Sequence, residues 1–416
     1  MPLPPVPPAP ATKQPAQPEA TPPPAPYLAR PADGGLPIDP VPNSGYSGGD
    51  SQWDQLNYID DSPISDEPSR CIGDCRDSDF TPFVLTSQGV CILNRGRARG
   101  SALSTDLLSD GKRHGVFSGR SLAFQVAPGY DEIVEGYLGR DANNCDWSIQ
   151  GGFRGFNDWV TTGWVDAGYT ITEATSAGTI THGSLNSFFA GQFIGLDWVD
   201  HQAARYNTGF DTAEINVVLR PHPRSDRLVL YPNGRWYRQP ETGTYWSVLA
   251  GVRYLRIDEG FTFQGSGAYT QNQGGVITQG TVSGRYFAHT RNPMIGLQLG
   301  TEVGFRERGW ELGLHFKASP LINSALAESR VNTTDPIFGD QAASYRFVAT
   351  NVAAYLELGF LGIYRLNEAW AVRGGYDISW LSGVALAPVQ RPMANDLDAT
   401  STLFLQGLTL AVEYRR

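Results

Sequence analysis

The sequence predicts an all-β fold: a single closed antiparallel up-and-down transmembrane β-barrel of about 10–12 strands, preceded by a disordered Pro-rich N-terminal arm. Three observations carry this. Apolar and polar residues alternate with period two over long runs toward the C-terminus, as in strands with two unlike faces. The 416 residues include 47 Gly, 29 Pro, 10 Trp, 18 Tyr and 19 Phe, which suits aromatic strands joined by turns and not a helical bundle. The links between the C-terminal runs alternate short and long, the asymmetry of envelope barrels.

Residues 1–80 form the arm. Twelve of the first 26 residues are proline, giving an extended, semi-rigid tether. The stretch to about Asp79 has too few β-branched residues to offset its chain entropy. Met1 is followed by proline, with no basic start and no apolar core, so no secretory signal is read there. Residues 81–114 are assigned to a Cys-containing transition segment. Cys71, Cys75, Cys91 and Cys145 suggest disulfides in an oxidising compartment, with three possible connectivities and free thiols as the alternative. Cys71-x-x-x-Cys75 lacks a matching second pair or a nearby histidine, so no metal is expected.

Residues 115–416 form the barrel. Leu122–Val126, Ile133–Leu138, Phe189–Trp198 and Ala213–Leu219 read as strands, as do the runs around Trp147, Ile149 and Phe153. Trp246, Val248, Ala250, Val252 and Tyr254 make one apolar face, while Gly265–Gly275 reads as loop. From Ile295 to Phe305 the odd positions are apolar except Thr301; after Glu307-Arg308-Gly309 the alternation resumes with Trp310, Leu312, Leu314 and Phe316. Pairing Arg306 with Gly309 brings these faces together. Residues 319–345 then read as a long polar connection, with Leu321–Arg330 as a short helix inside it. Leu356, Leu358, Phe360 and Tyr364 begin the next alternation. A tight turn at Asn367-Glu368 leads to Trp370–Trp380, a long connection spans 381–401, and Leu408, Leu410, Val412 and Tyr414 make the last strand. Strands this long exceed the five or six residues usual in soluble sheets and match the 9–11 or so that cross a membrane.

The apolar face should meet lipid, with Trp246, Leu297, Phe305, Trp310, Trp370, Trp380 and Tyr414 on it and the aromatics forming a girdle. The other face should line the lumen: Gln298, Glu302, Arg306, Glu311, His315, Lys317, Glu357, Arg365, Arg373, Asp377 and Glu413. Mixed charge there either passes small hydrophilic solutes or ions, or is closed by its own salt bridges. At this strand number the bore is narrow, which favours a plugged or structural barrel over a general diffusion pore.

Other functions fare worse. A net charge of −10 without a basic cluster argues against nucleic acid. No Gly-x-Ser-x-Gly elbow and no phosphate-cradling glycine loop has its required strand-to-helix setting. No cofactor and no catalytic residue is therefore expected, and oligomeric state is not encoded legibly. Asp197-x-x-Asp200-His201 is the nearest thing to an acid–base cluster, and a barrel-borne hydrolase would need Asp200 and His201 to meet a nucleophile in a cleft. The main competitor is a secreted or periplasmic soluble β-sandwich that binds a ligand. It would bury Trp246, Leu297, Phe305, Trp310 and Val412 between two sheets, where a membrane barrel exposes them.

Three segments carry a family resemblance. They are Thr244–Glu259 with Leu249-Ala250-Gly251-Val252-Arg253-Tyr254-Leu255, Asn292–Lys317 with Gly296-Leu297-Gln298-Leu299-Gly300, and Arg373-Gly374-Gly375-Tyr376 followed by Gly383-Val384-Ala385-Leu386-Ala387-Pro388. Their order resembles the planctomycete outer-membrane β-barrel family of BBP7-like porins over roughly residues 115–416. The resemblance implies an outer-membrane barrel without assigned catalysis, with envelope lipid as its partner. Many outer-membrane barrels end in an aromatic residue, whereas this chain ends Tyr414-Arg415-Arg416.

Overall fold

The computed structural model describes residues 83–416 apart from 97–101, 108–111, 119–121, 123–125, 141–144, 176–177, 190–191, 222–226, 231–235, 240–241, 308, 336–338, 368 and 392–395. The Pro-rich arm, Cys71 and Cys75 lie outside the described residues.

The strands in order are β1 (Val84–Arg95), β2 (Ala102–Leu107), β3 (Arg113–Ser118), β4 (Ala127–Arg140), β5 (Cys145–Asp166), β6 (Thr170–Thr175), β7 (Gly178–Gly183), β8 (Asn186–Ser187) and β9 (His201–Pro221). They continue as β10 (Arg227–Leu230), β11 (Trp236–Gln239), β12 (Gly243–Gln273), β13 (Val276–Arg306), β14 (Trp310–Thr334), β15 (Gln341–Arg365), β16 (Trp370–Val384) and β17 (Ser401–Arg415). Ten of them close a ring, β1-β4-β5-β9-β12-β13-β14-β15-β16-β17, because β12 also pairs with β13 and β17 returns to β1. Every pairing around it is antiparallel. At the closure Val84 N–H donates to Arg416 O at 3.0 Å and Arg416 N–H donates to Val84 O at 3.0 Å.

Several expectations are corrected. The segment 81–114 is not a transition piece, because Val84–Arg95 is the barrel's first strand and its hydrogen-bonding groups are satisfied by β17 and β4. Residues 319–345 are no long loop and Leu321–Arg330 is no helix; both lie mostly in β14 and β15, whose ladder runs on to Thr333↔Gln341. Gly265–Gln273 belongs to β12, leaving a tight turn at Gly274-Gly275, both with positive φ. Phe189–Trp198 is a looped segment, and no strand is described at Leu122–Val126. Arg306 pairs with Glu311, not Gly309, so the register slips by two residues. A slip of two keeps each side chain on its face, and Glu307 N–H donating to Trp310 O at 2.8 Å sets the wider turn.

The short-turn end carries the β13–β14 and β15–β16 links and is called proximal. The opposite, distal end carries long segments at 96–126, 167–200 and 385–400. In the proximal half apolar side chains point outward, as with Trp246, Val248, Val252 and Tyr254 on β12 and Ile295, Leu297, Leu299, Val303 and Phe305 on β13. In the distal half the same faces exchange character. Outward on β12 now lie Arg256, Asp258 and Gln264, while Leu255, Ile257, Phe261 and Phe263 are fully buried inside. A bulge in β5 between Arg154 and Asn157, with Phe156 at φ 62°, shifts that strand's phase near the same level.

The distal interior is a largely apolar core. Phe261, Phe263, Tyr206, Tyr286, Leu386 and Leu403 pack there with Leu103 and Phe117 from the 96–126 segment and Phe189 and Phe193 from the 167–200 segment. Cys91, buried on the inner face of β1, is a free thiol 3.6 Å from Asn157 Oδ1, so the disulfide expectation does not hold for it.

Candidate functional site

The proximal lumen is the site toward which the polar faces converge. Arg253 of β12 bonds to Glu214 of β9 and Gln298 of β13, and to Glu357 of β15 at 3.1 Å. Lys317 of β14 reaches Glu214 at 2.6 Å and Glu357 at 3.6 Å. His315, two residues earlier, lies 3.3 Å from Glu357 and 3.2 Å from Asp377 of β16. Arg154 of β5 joins Asp377 at 2.7 Å to Asp131 of β4 at 2.8 Å. One connected network thus bridges eight of the ten ring strands across the bore.

Its members are at most 17% exposed. At such burial a carboxylate persists only when paired. Asp131, Glu214, Glu357 and Asp377 are matched by Arg154, Arg253, Lys317 and the imidazole of His315. Tyr355 covers Arg253, whose guanidinium carbon lies 4.4 Å from the ring centroid. Gly359 provides the room, since a Cβ there would collide with Asp377 and His315.

Nearer the proximal mouth Tyr245 donates to Glu302 at 2.9 Å, and Glu311 accepts from Arg306 at 2.8 Å and Arg365 at 3.5 Å. Arg373 and Glu413 face inward beside them, with Glu413 buried within range of Arg373, Arg365 and Arg415. Arg220 pairs with Glu135 at 2.5 Å. All eleven residues read as lumen-facing therefore stand on the inner face, most of them as partners of one another. His315, Glu357 and Asp377 have the donor atoms of a metal site, but Arg154, Arg253 and Lys317 already neutralise these carboxylates and would repel a dication.

Above the network the chain after β16 turns into the barrel, where Ala385, Leu386, Ala387 and Gln390 are buried. Asn292 holds Ala385 through both backbone groups at 2.8 Å, donating from Nδ2 to its oxygen and accepting its N–H. Gly383 O accepts from Asn323 and Asn351 at 2.9 Å each. Tyr286 OH donates to Gln390 O, and Ala387 N–H donates to Glu259 at 2.9 Å. Glu259 is itself paired with fully buried Arg95 at 2.5 Å. Where core meets network, a void lined by Leu93, Arg154, Phe210, Tyr355, Asp377 and Leu405 measures about 10 Å³, room for a single water. Asn292→Leu is expected to strand both Ala385 groups, lowering stability by about 1–3 kcal/mol. Limited proteolysis should then cut within 385–400 faster than in the unaltered protein.

The residues read as lipid-facing all lie on the outer face: Leu297 is 68% exposed, Trp246 49% and Trp310 39%. Phe305 packs on Trp310 at 5.6 Å and Trp370 on Tyr414 at 4.8 Å along the proximal rim. Tyr254, Trp380 and Phe404 mark the other edge of the band. A polar pair interrupts it, Gln88 donating to Glu132 at 3.2 Å.

Asp197, Asp200 and His201 do not converge. Asp197 is a buried loop brace accepting from Ser187 and Phe193, and Asp200 accepts from Ala268 N–H at 2.7 Å. Glu214 and Arg253, central to the network, escaped the sequence reading, and Arg154, on the polar face opposite Trp147, Ile149 and Phe153, was not among the lumen candidates. Arg253 was legible, since it falls at an odd position between the even apolar residues Val252 and Tyr254. Glu214 lies in a strand whose alternation is weak.

No protein-family model matches the chain, and no curated protein matches it. Among solved structures it is similar to the outer membrane protease OmpT of Escherichia coli, at 12% identity over 82% of this chain and 98% of that one, with a TM-score of 0.31. It is also similar to a FadL homologue of Pseudomonas aeruginosa, at 7% identity over 80% and 90%, with a TM-score of 0.26. An anion-selective porin from Comamonas acidovorans shares 8% identity over 81% and 99%, with a TM-score of 0.15. The closed antiparallel sheet is defined by its own strand pairing.

Proposed function

We propose that the protein is a closed, structural β-barrel of the bacterial outer membrane, set in lipid by its proximal half and standing in water by its distal half. The exchange of face character carries this reading. The outward apolar band runs about ten residues per strand, and at about 3.3 Å per residue and a tilt of about 40° it is about 25 Å tall, the height of an outer-membrane hydrocarbon band. A soluble sandwich would bury Trp246, Leu297, Phe305, Trp310 and Val412, all of which are exposed here. Membership of the BBP7-like porins is part of the proposal.

The network and the buried residues Ala385–Gln390 favour a sealed barrel over a diffusion pore, because a solute would have to break buried ion pairs and then cross a packed apolar core. Planar-bilayer recording of the folded, unaltered protein should be silent, with detergent-resistant compactness and heat-modifiable migration as evidence of folding. Steady conductance steps from the folded protein would instead support the pore reading.

A further inference from the structure

We propose that Asp166, His201 and Ser266 form a serine-hydrolase relay on the outer wall of the distal half, acting on carboxylic esters carried by solvent-borne molecules. The observation is one of register. His201 pairs with Asp166 across the β5–β9 ladder and with Ser266 across the β9–β12 ladder. The three residues therefore occupy one rung of three adjacent strands, on one face, where neighbouring Cβ atoms stand about 4.5–5.5 Å apart. They are 35 and 65 residues apart in the chain (201 less 166, 266 less 201), and only the closed sheet brings them together.

The chemistry of the rung follows from the histidine's contacts. Asp166 Oδ1 lies 2.7 Å from His201 Nδ1, which fixes the proton on Nδ1 and leaves Nε2 as the base. The indole of Trp164, two residues before Asp166, stacks against the imidazole at 6.1 Å and 28°. His201 and Ser266 line the same cleft, about 450 Å³ in volume, together with Ser283, Arg285 and Asn332. Ser283 is the cross-strand partner of Ser266, and Arg285 that of Gln264. Arg285 is thus the diagonal neighbour of Ser266, about 7–8 Å away between backbones and within reach of a long side chain. It is the cation available to a developing oxyanion.

In the step proposed, Ser266 Oγ bonds to the ester carbonyl carbon as its proton passes to His201 Nε2. The resulting alkoxide faces Arg285. Its collapse breaks the bond to the alcohol, which leaves with the proton from Nε2. Water then attacks the acyl–Ser266 ester by the same route, releasing the acid and restoring serine and neutral histidine. No other reactant is required. Exposed Trp164 provides an apolar face for the acyl group. His201 lies 12 residues from Ala213 on β9 (213 less 201), about 40 Å along the strand from the apolar band. The substrate class is therefore esters reached from water, not lipids within the bilayer.

The test uses the full chain, folded in detergent, a fluorophosphonate probe, and p-nitrophenyl acetate. The probe should label Ser266, as read by peptide mapping, and labelling should vanish in Ser266→Ala. His201→Ala should slow ester hydrolysis at least about 100-fold, and Asp166→Asn should slow it while altering the pH profile. Ser344→Ala, at an exposed serine outside the cleft, should retain full labelling. Each variant is scored only when its heat-modifiable migration matches that of the unaltered protein, with His201→Gln replacing a misfolded His201→Ala. No label at Ser266 above the heat-denatured control, label on Ser283, or hydrolysis unchanged in a folded His201 variant would overturn the proposal.

Discussion

Leu299→Arg is expected to abolish assembly of the barrel in lipid. Leu299 is 65% exposed on the outer face of β13, midway between Ile295 and Phe305, so it sits where the apolar band is deepest. Arginine at the midplane of a barrel costs about 2–4 kcal/mol, falling toward the interfaces. Val303→Arg, nearer the proximal rim and paired with Trp246, should cost less. Thr281→Arg, on the same strand and the same outward face but in the distal half, should cost almost nothing. Folding yield into vesicles, read by heat-modifiable migration, should rank Leu299→Arg below Val303→Arg and Val303→Arg below Thr281→Arg. An equal yield for Leu299→Arg and Thr281→Arg would mean that the two halves meet the same solvent.

Arg253→Ala should have the largest effect of any lumen substitution. Arg253 is 1% exposed and is shared by Glu214, Glu357 and Gln298. Removing one member of a buried ion-pair network leaves its partners charged and desolvated, at a cost of about 3–5 kcal/mol. Lys317, the remaining cation beside Glu214 and Glu357, cannot replace the planar guanidinium that bridges both. The denaturation midpoint in urea should fall accordingly. An unchanged midpoint would indicate a hydrated lumen in which these charges are screened. Glu302→Ala, by contrast, removes one of two carboxylates beside Tyr245 near the mouth and should fold normally.

Much of the proximal half was legible because its outward apolar and inward polar faces alternate with a strict period of two. The alternations at 295–317, 356–365, 370–380 and 408–415 give five of its ten strands and the sense of both faces. The distal half was not legible by the same rule, because its phase inverts. From Ser324 onward β14 places Ala325 and Val331 inward and Ser324 and Arg330 outward, the reverse of Leu312 and His315. A reading tuned to one phase takes such a stretch for a loop. Pairings between distant segments were likewise hidden, since β1 reaches β17 across most of the chain and the Asp166–His201–Ser266 rung depends on three strands in register. Asp200, adjacent to His201 in sequence, is the more visible neighbour. Its side chain, however, is taken up by the backbone of β12.

The most direct measurement is the collisional accessibility of a nitroxide attached at position 299, in a cysteine-substituted background, after reconstitution into phospholipid vesicles. Hydrocarbon contact predicts strong relaxation by dissolved oxygen and little by a water-soluble nickel chelate. Relaxation chiefly by the nickel chelate, or shielding from both reagents, would contradict it.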